Sequence, residues 1–173
     1  MLRRSLVILC ATAAPSFAQT GANPNVDNAR ALWESVRGYI VAAANDVPES
    51  LYAFRPTPEV RTFGQLIGHL AGSQRVFCAA ALGEKAPDED AVEKAATTKA
   101  ALVAALKQSN DYCARAYKIT DAAGAGMTDL FGEKRSNVYA LLANATHDNE
   151  HYGNIVTYMR INKMVPPSSK PAR

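Results

Sequence analysis

Four stretches of the chain repeat apolar residues at spacings of three and four, and each stops at proline, glycine or a capping residue. Such a period gives a helix one dry face, and dry faces in a single chain must find one another. Leu32, Val36, Tyr39, Ile40, Ala43 and Val47 predict a first helix from about 27 to 46, closed by Pro48. Pro56 and Pro58 exclude helix from the connection that follows, because each fixes φ and lacks a donor. Thr62 and Gln65 form a capping box for a second helix carrying Phe63, Leu66, Ile67, Leu70 and Phe77, and Gly83 is a suitable stop. Residues 84–90 are charged, contain Pro87, and read as an exposed loop.

The alanine-rich stretch 91–119 predicts a third helix, with Thr97 and Thr98 as the place for a break. Gly124 and Gly126 mark a long turn. Ser136 caps a fourth helix that runs to about Asn162 and presents Val138, Leu141, Leu142, Ala145, Tyr152, Ile155, Val156 and Met159. No strand is expected. The fold class is all-α, an antiparallel four-helix bundle over residues 27–163.

The two ends read differently. Arg3 and Arg4, an apolar run from Leu6 to Phe17, and small Ser16 and Ala18 spell a secretory signal cleaved after Ala18. Residues 19–26 are expected as a flexible leader and 164–173 as a disordered tail, and the location as periplasmic or secreted. Without Arg3 and Arg4 the 19 basic residues fall to 17 against 16 acidic ones. A chain that close to neutral, with no basic stripe, excludes nucleic acid and a membrane surface as partners. Cys78 and Cys113 remain after cleavage, and two readings stay open: a disulfide, which export permits, or two separately buried thiols.

All 3 histidines, His69, His147 and His151, fall on the second and fourth helices. His147 and His151 stand one turn apart on one face, where both rings reach a single ion. His69 borders the Leu66/Leu70 stripe, able to face them across the interior. Imidazoles suit Zn, Ni, Fe or Mn, with Zn or Ni favoured, and three neutral ligands leave a coordination position open. The plainer reading is three packed or hydrogen-bonded side chains.

The run from Arg61 to Leu70 (RTFGQLIGHL), the run from His147 to Asn154 (HDNEHYGN) and the connection from Arg55 to Glu59 (RPTPE) resemble the DinB/YfiT-like superfamily. The resemblance covers nearly the whole chain after the signal. It implies a four-helix bundle, a divalent metal on His69, His147 and His151, and a homodimer. Some members are similar to thiol-dependent transferases that use bacillithiol or mycothiol, and DNA is not implied. Asn154 stands where the family commonly has Gln, and Tyr152 where His or Arg is frequent, which implies a reshaped mouth to the site.

The function expected is metal-dependent hydrolysis or transfer on a small molecule; the alternative is a non-catalytic bundle that binds a metal or ligand. Glu150 is the candidate catalytic carboxylate, being with Asp148 nearest in sequence to the histidines. The match of His147, Glu150 and His151 to an inverted zinc-protease motif is discounted, since Glu150 lies about 100° from His151 around the helix and no downstream Glu ligand is evident. The competing reading puts Glu150 and Asp148 on a solvated helix face or beside a ligand imidazole. Tyr39, Asn144, Asn154 and Tyr158 are candidates to line a pocket.

Overall fold

The structure is a computed structural model that describes residues 23–171. The signal read in residues 1–18, and most of the leader, lie outside the described residues. The described chain is mostly helical: α1 (Pro24–Asp46), α2 (Phe63–Leu82), α3 (Ala91–Ala95), α4 (Lys99–Ala116), α5 (Asp121–Gly124) and α6 (Asn137–Ile161). Short 3-10 turns at Glu49–Leu51 and Pro167–Ser169 and a hairpin of β1 (Met127–Leu130) and β2 (Glu133–Ser136) complete it. Among the described residues, no helix is long and apolar enough to cross a membrane.

Caps explain most of the helix ends. The amide of Gln65 donates to Thr62 Oγ1 at 3.1 Å while the amide of Thr62 donates to Gln65 Oε1 at 2.9 Å, so the box closes in both directions. Gly83 ends α2 with φ 68°, the left-handed conformation that glycine adopts at no steric cost. Thr98 caps α4 and Ser136 caps α6, each through its side-chain oxygen. The break expected near Thr97 and Thr98 is there, and it separates α3 from α4.

Three expectations need correction. First, α1 begins at Pro24 rather than near 27, because its exposed amides have a remote cap. Asp121 accepts from the amides of Asn25 at 3.1 Å and Val26 at 2.9 Å, and Val26 is buried. Second, there are strands: β1 and β2 pair antiparallel, Met127 opposite Ser136 and Leu130 opposite Glu133. Phe131 (φ 53°) and Gly132 (φ 82°) both take positive φ, the geometry of a two-residue hairpin turn. The strands are short and mostly exposed, so no run of alternating hydrophobicity announces them. Third, the residues expected as a loose tail lie against the helices. Pro166 is buried, Tyr152 donates to Ser168 Oγ at 2.9 Å, and Lys170 pairs with Asp46 at 2.7 Å.

Helix α2 lies against α3, α4 and α6, and α1 packs on α6 and α4. Consistent with that central place, α2 is buried almost all round. The interior holds two apolar clusters. One gathers Ile40, Phe63, Ile67, Leu70, Leu106, Ile155 and Met159. The other gathers Val26, Trp33, Phe77, Cys113, Tyr117 and Leu141. Cys78 and Cys113 are joined by a disulfide in the second cluster, with Cα atoms 5.3 Å apart. Of the two readings the sequence left open, this settles the bridged one.

Candidate metal centre

The histidines belong to neither cluster: His69 is buried, and His147 and His151 are partly buried. His69 comes from α2, His147 and His151 from α6, and the packing of α2 on α6 turns the three rings toward one another. His147 Nε2 is 3.2 Å from His69 Nε2 and 3.1 Å from His151 Nε2. The donor atoms of all three lie within 4.8 Å of one another. Two nitrogens bound to one ion at about 2.0–2.1 Å with a tetrahedral angle between them stand about 3.3 Å apart. The spacing therefore fits a shared ion. A proton shared between two rings accounts for one such contact at a time, whereas an ion accounts for all three nitrogens converging.

The electrostatics prepare the rings to ligate. Burial lowers the His69 pKa to about 4, helped by the positive charge of Arg61 and by His151. Burial lowers His147 to about 3, with the neighbouring His151 and His69 adding to the effect. His151 is lowered as well, chiefly by burial, although the Glu150 charge opposes the shift. All three are neutral at pH 7, the state in which an imidazole nitrogen offers its lone pair to a metal.

Each outward-facing Nδ1 has a polar neighbour. Ser73 Oγ donates to the carbonyl of Leu70 and stands 3.5 Å from His147 Nδ1, where its oxygen can accept from that ring. Asn154 Nδ2 lies 3.4 Å from His151 Nδ1. Glu89 Oε1 lies 3.9 Å from His69 Nδ1, beyond hydrogen-bond length, and that nitrogen is buried without a partner.

A cleft of about 600 Å³ opens beside His151, lined among others by Val60, Arg61, Leu66, Glu93, Asn154 and Tyr158. Arg61 Nε donates to both carboxylate oxygens of Glu93, at 3.2 and 3.0 Å, and Tyr158 donates to the Arg61 carbonyl at 2.7 Å. Of the four residues expected to line a pocket over the histidines, Asn154 and Tyr158 line this cleft, whereas Tyr39 lines a different one. Tyr39 stacks on Tyr152 at 5.3 Å between centroids, and Asn144 is buried, donating to the Tyr117 hydroxyl at 3.1 Å.

The two carboxylates flanking His147 and His151 go separate ways. Glu150 is exposed on α6 and does not line the cleft. Asp148 is fully buried with both oxygens unpartnered, and burial holds its pKa well above the usual carboxylate range. Neither the solvated face nor a bond to a ligand ring describes Asp148. Sequence reasoning missed Arg61, Ser73, Glu89 and Glu93 as neighbours of the site. Only the glycine spacing at Gly64, Gly68 and Gly72, which lets loops approach α2, hints at them.

The profile of the DinB superfamily matches residues 32–155. Among curated proteins no sequence relative is found. Among solved structures, the chain is similar to a DinB-like protein of Bacillus cereus, with TM-score 0.71 and 18% identity over 82% of this chain and 95% of that one. It is also similar to a DinB-like protein of Bacillus subtilis, with TM-score 0.67 and 19% identity over 86% of this chain and 100% of that one. A third likeness is to a mutant of the mycothiol-dependent maleylpyruvate isomerase, with TM-score 0.61 and 15% identity over 78% of this chain and 65% of that one.

Proposed function

The chain belongs to the DinB superfamily, and on that premise we propose that its four long helices form an antiparallel bundle built to hold one divalent metal ion on His69, His147 and His151. The observation that carries the reading is the convergence of three neutral Nε2 atoms at 3.1 and 3.2 Å between α2 and α6. No fourth protein ligand belongs to that group among the described residues. A three-histidine set beside an open cleft suits chemistry on a bound molecule better than closed storage of an ion. We therefore read the protein as a metal-dependent hydrolase or transferase acting on a small molecule, with zinc or nickel the preferred ion.

A divalent ion there supplies positive charge that acidifies an attacking water or thiol and stabilises developing negative charge. The chain's own residues orient and enclose. Ser73 accepts from the outward nitrogen of His147, Asn154 can accept from that of His151 once its amide turns its oxygen to the ring, and Phe77 packs on the His147 ring with centroids 5.4 Å apart. In the cleft, Arg61 is held by Glu93 through Nε, which leaves its other guanidinium nitrogens free to meet a substrate carboxylate or other anion. Glu150 is a weaker candidate for proton transfer, since it stands outside that cleft. The mycothiol dependence of the similar isomerase makes a thiol co-substrate one of the two reaction types to assay.

Export fits the same picture. Disulfides persist in oxidising compartments, and Cys78–Cys113 is bridged. We read residues 1–18 as a signal removed on the way to the periplasm or the exterior.

Elemental analysis of the purified protein without a His-tag tests the centre. About one equivalent of a transition metal in the wild type, lost in His69→Ala and His147→Ala, is expected. A wild type that takes up no Zn²⁺, Ni²⁺ or Mn²⁺ after reloading sinks the reading.

A further inference from the structure

We propose that Glu89 is a positioning residue for this centre: its carboxylate accepts the Nδ1 proton of His69 and so holds the ring with Nε2 turned to His147 and His151. The inference rests on the three-histidine reading above and concerns a residue outside it.

The need is visible first. A histidine that ligates through Nε2 carries its proton on Nδ1, and that proton requires an acceptor if it is buried. His69 is 7% exposed, and its Nδ1 has no partner, whereas the corresponding nitrogens of His147 and His151 have Ser73 and Asn154 nearby. Glu89 Oε1 stands 3.9 Å away on a side chain that is 32% exposed. Less than about 1 Å of travel brings it to hydrogen-bond length.

The backbone is arranged to bring that side chain there. A Cβ on Gly72 would lie 1.9 Å from the Glu89 carbonyl oxygen, and one on Gly68 would lie 2.9 Å from the Glu93 Cα. Only glycine at these places lets α3 and the loop before it press onto α2 beside His69. An exposed loop has no need of such an approach.

Chemistry then selects Glu89 from three local acids. Arg61 binds both oxygens of Glu93, and Lys94 pairs with Asp90 at 3.2 Å. His69, Asp90 and Glu93 could themselves group around a cation, since their donor atoms lie within 4.8 Å of one another. Two basic side chains already neutralise those acids, so a second ion would have to displace both. Glu89 also feels the charges of Arg61 and of Asp88, Asp90 and Glu93, but among the described residues its one ion-pair contact is with His69.

The experiment measures Zn²⁺ affinity by chelator competition, stoichiometry by elemental analysis, and the His69 tautomer by long-range ¹H–¹⁵N NMR. The wild type, Glu89→Gln and Glu89→Ala are compared. Loss of a partner that orients a ligand imidazole weakens metal binding about 10–100-fold. Glu89→Ala is expected to show that loss at unchanged stoichiometry, with mixed His69 tautomers in the metal-free protein. Glu89→Gln, whose amide oxygen still accepts, is expected to recover most of the affinity and the Nδ1–H tautomer. Wild-type affinity and tautomer in Glu89→Ala overturn the role of Glu89 and leave the triad standing. Two equivalents in the wild type, one of them lost in Glu89→Ala, overturn it by making Glu89 a ligand. No Zn²⁺ on the wild type overturns the triad reading and this one together.

Discussion

The two apolar clusters are unlike in construction, although both consist mainly of side chains from the long helices. Around Cys78 and Cys113 the interior is cross-linked and directionally bonded. Trp33 stacks on Tyr117 at 4.4 Å and donates to Gln74 at 3.1 Å, and Tyr117 donates to the Leu141 carbonyl at 2.8 Å. Around Leu70 and Ile155 aliphatic side chains pack with aromatic ones, Tyr52 meeting Phe63 edge-on at 5.0 Å and donating to the Ala44 carbonyl, and among the described residues no disulfide joins these helices. The histidines belong to neither cluster. Several buried atoms left without partners, His69 Nδ1, Asn144 Oδ1 and both Asp148 oxygens, sit with them on α2 and α6. One half is stapled, the other is merely packed, and the site takes the polar positions that neither apolar half uses.

Breaking the staple is expected to have the largest effect. The bridge closes a loop with sequence separation 35, for which the chain-entropy argument gives about 4 kcal/mol. Chemical denaturation of Cys78→Ala/Cys113→Ala should show a loss of that order. Hydrogen exchange should rise first at the Trp33–Tyr117 end. An equal rise at the Leu70 end would show that the two halves are one cooperative unit.

Truncating the packed half comes next. Leu70 is fully buried in it, and Leu70→Ala removes about 2–5 kcal/mol through lost transfer and a new cavity. The denaturation midpoint should fall with the slope unchanged. A loss under about 1 kcal/mol would mean that this half collapses around the gap.

The site itself responds to pH, with a smaller effect per unit. The His69 pKa is about 4 and that of His147 about 3 in the fold, against 6.5 for a free ring. Below 6.5 the unfolded chain binds the protons that the folded one refuses, so the metal-free protein loses stability as pH falls toward about 4. The slope is at most about 1.4 kcal/mol per pH unit for each ring. Melting temperature against pH should be shallower in metal-free His147→Ala than in metal-free wild type. Parallel curves would mean that burial is not what keeps His147 neutral.

Much of the fold was legible because its signals are local. Apolar spacing, the Thr62–Gln65 box, Ser136 and Gly83 each act within a turn or two of helix, and the structure has these elements where their residues predict them. The hairpin was not legible, since its strands are exposed and its turn sets Phe131 at positive φ where glycine or asparagine is usual. The histidines were legible as a group by spacing and resemblance, and α2 and α6 do bring them together. Their supporting residues were not, because Glu89 reads as one charge in a polar loop and Asp148 as an exposed helix position.

By itself the sequence determined which segments become the long helices and that three imidazoles ride on two of them, because periodicity and capping are short-range properties of neighbouring residues. Tertiary structure decided the rest. It supplied a cap for α1 from Asp121, joined Cys78 to Cys113, buried Asp148, and seated Glu89 beside His69 across Gly72. Each of these depends on the distance between atoms far apart in the chain, which packing sets and no local pattern encodes.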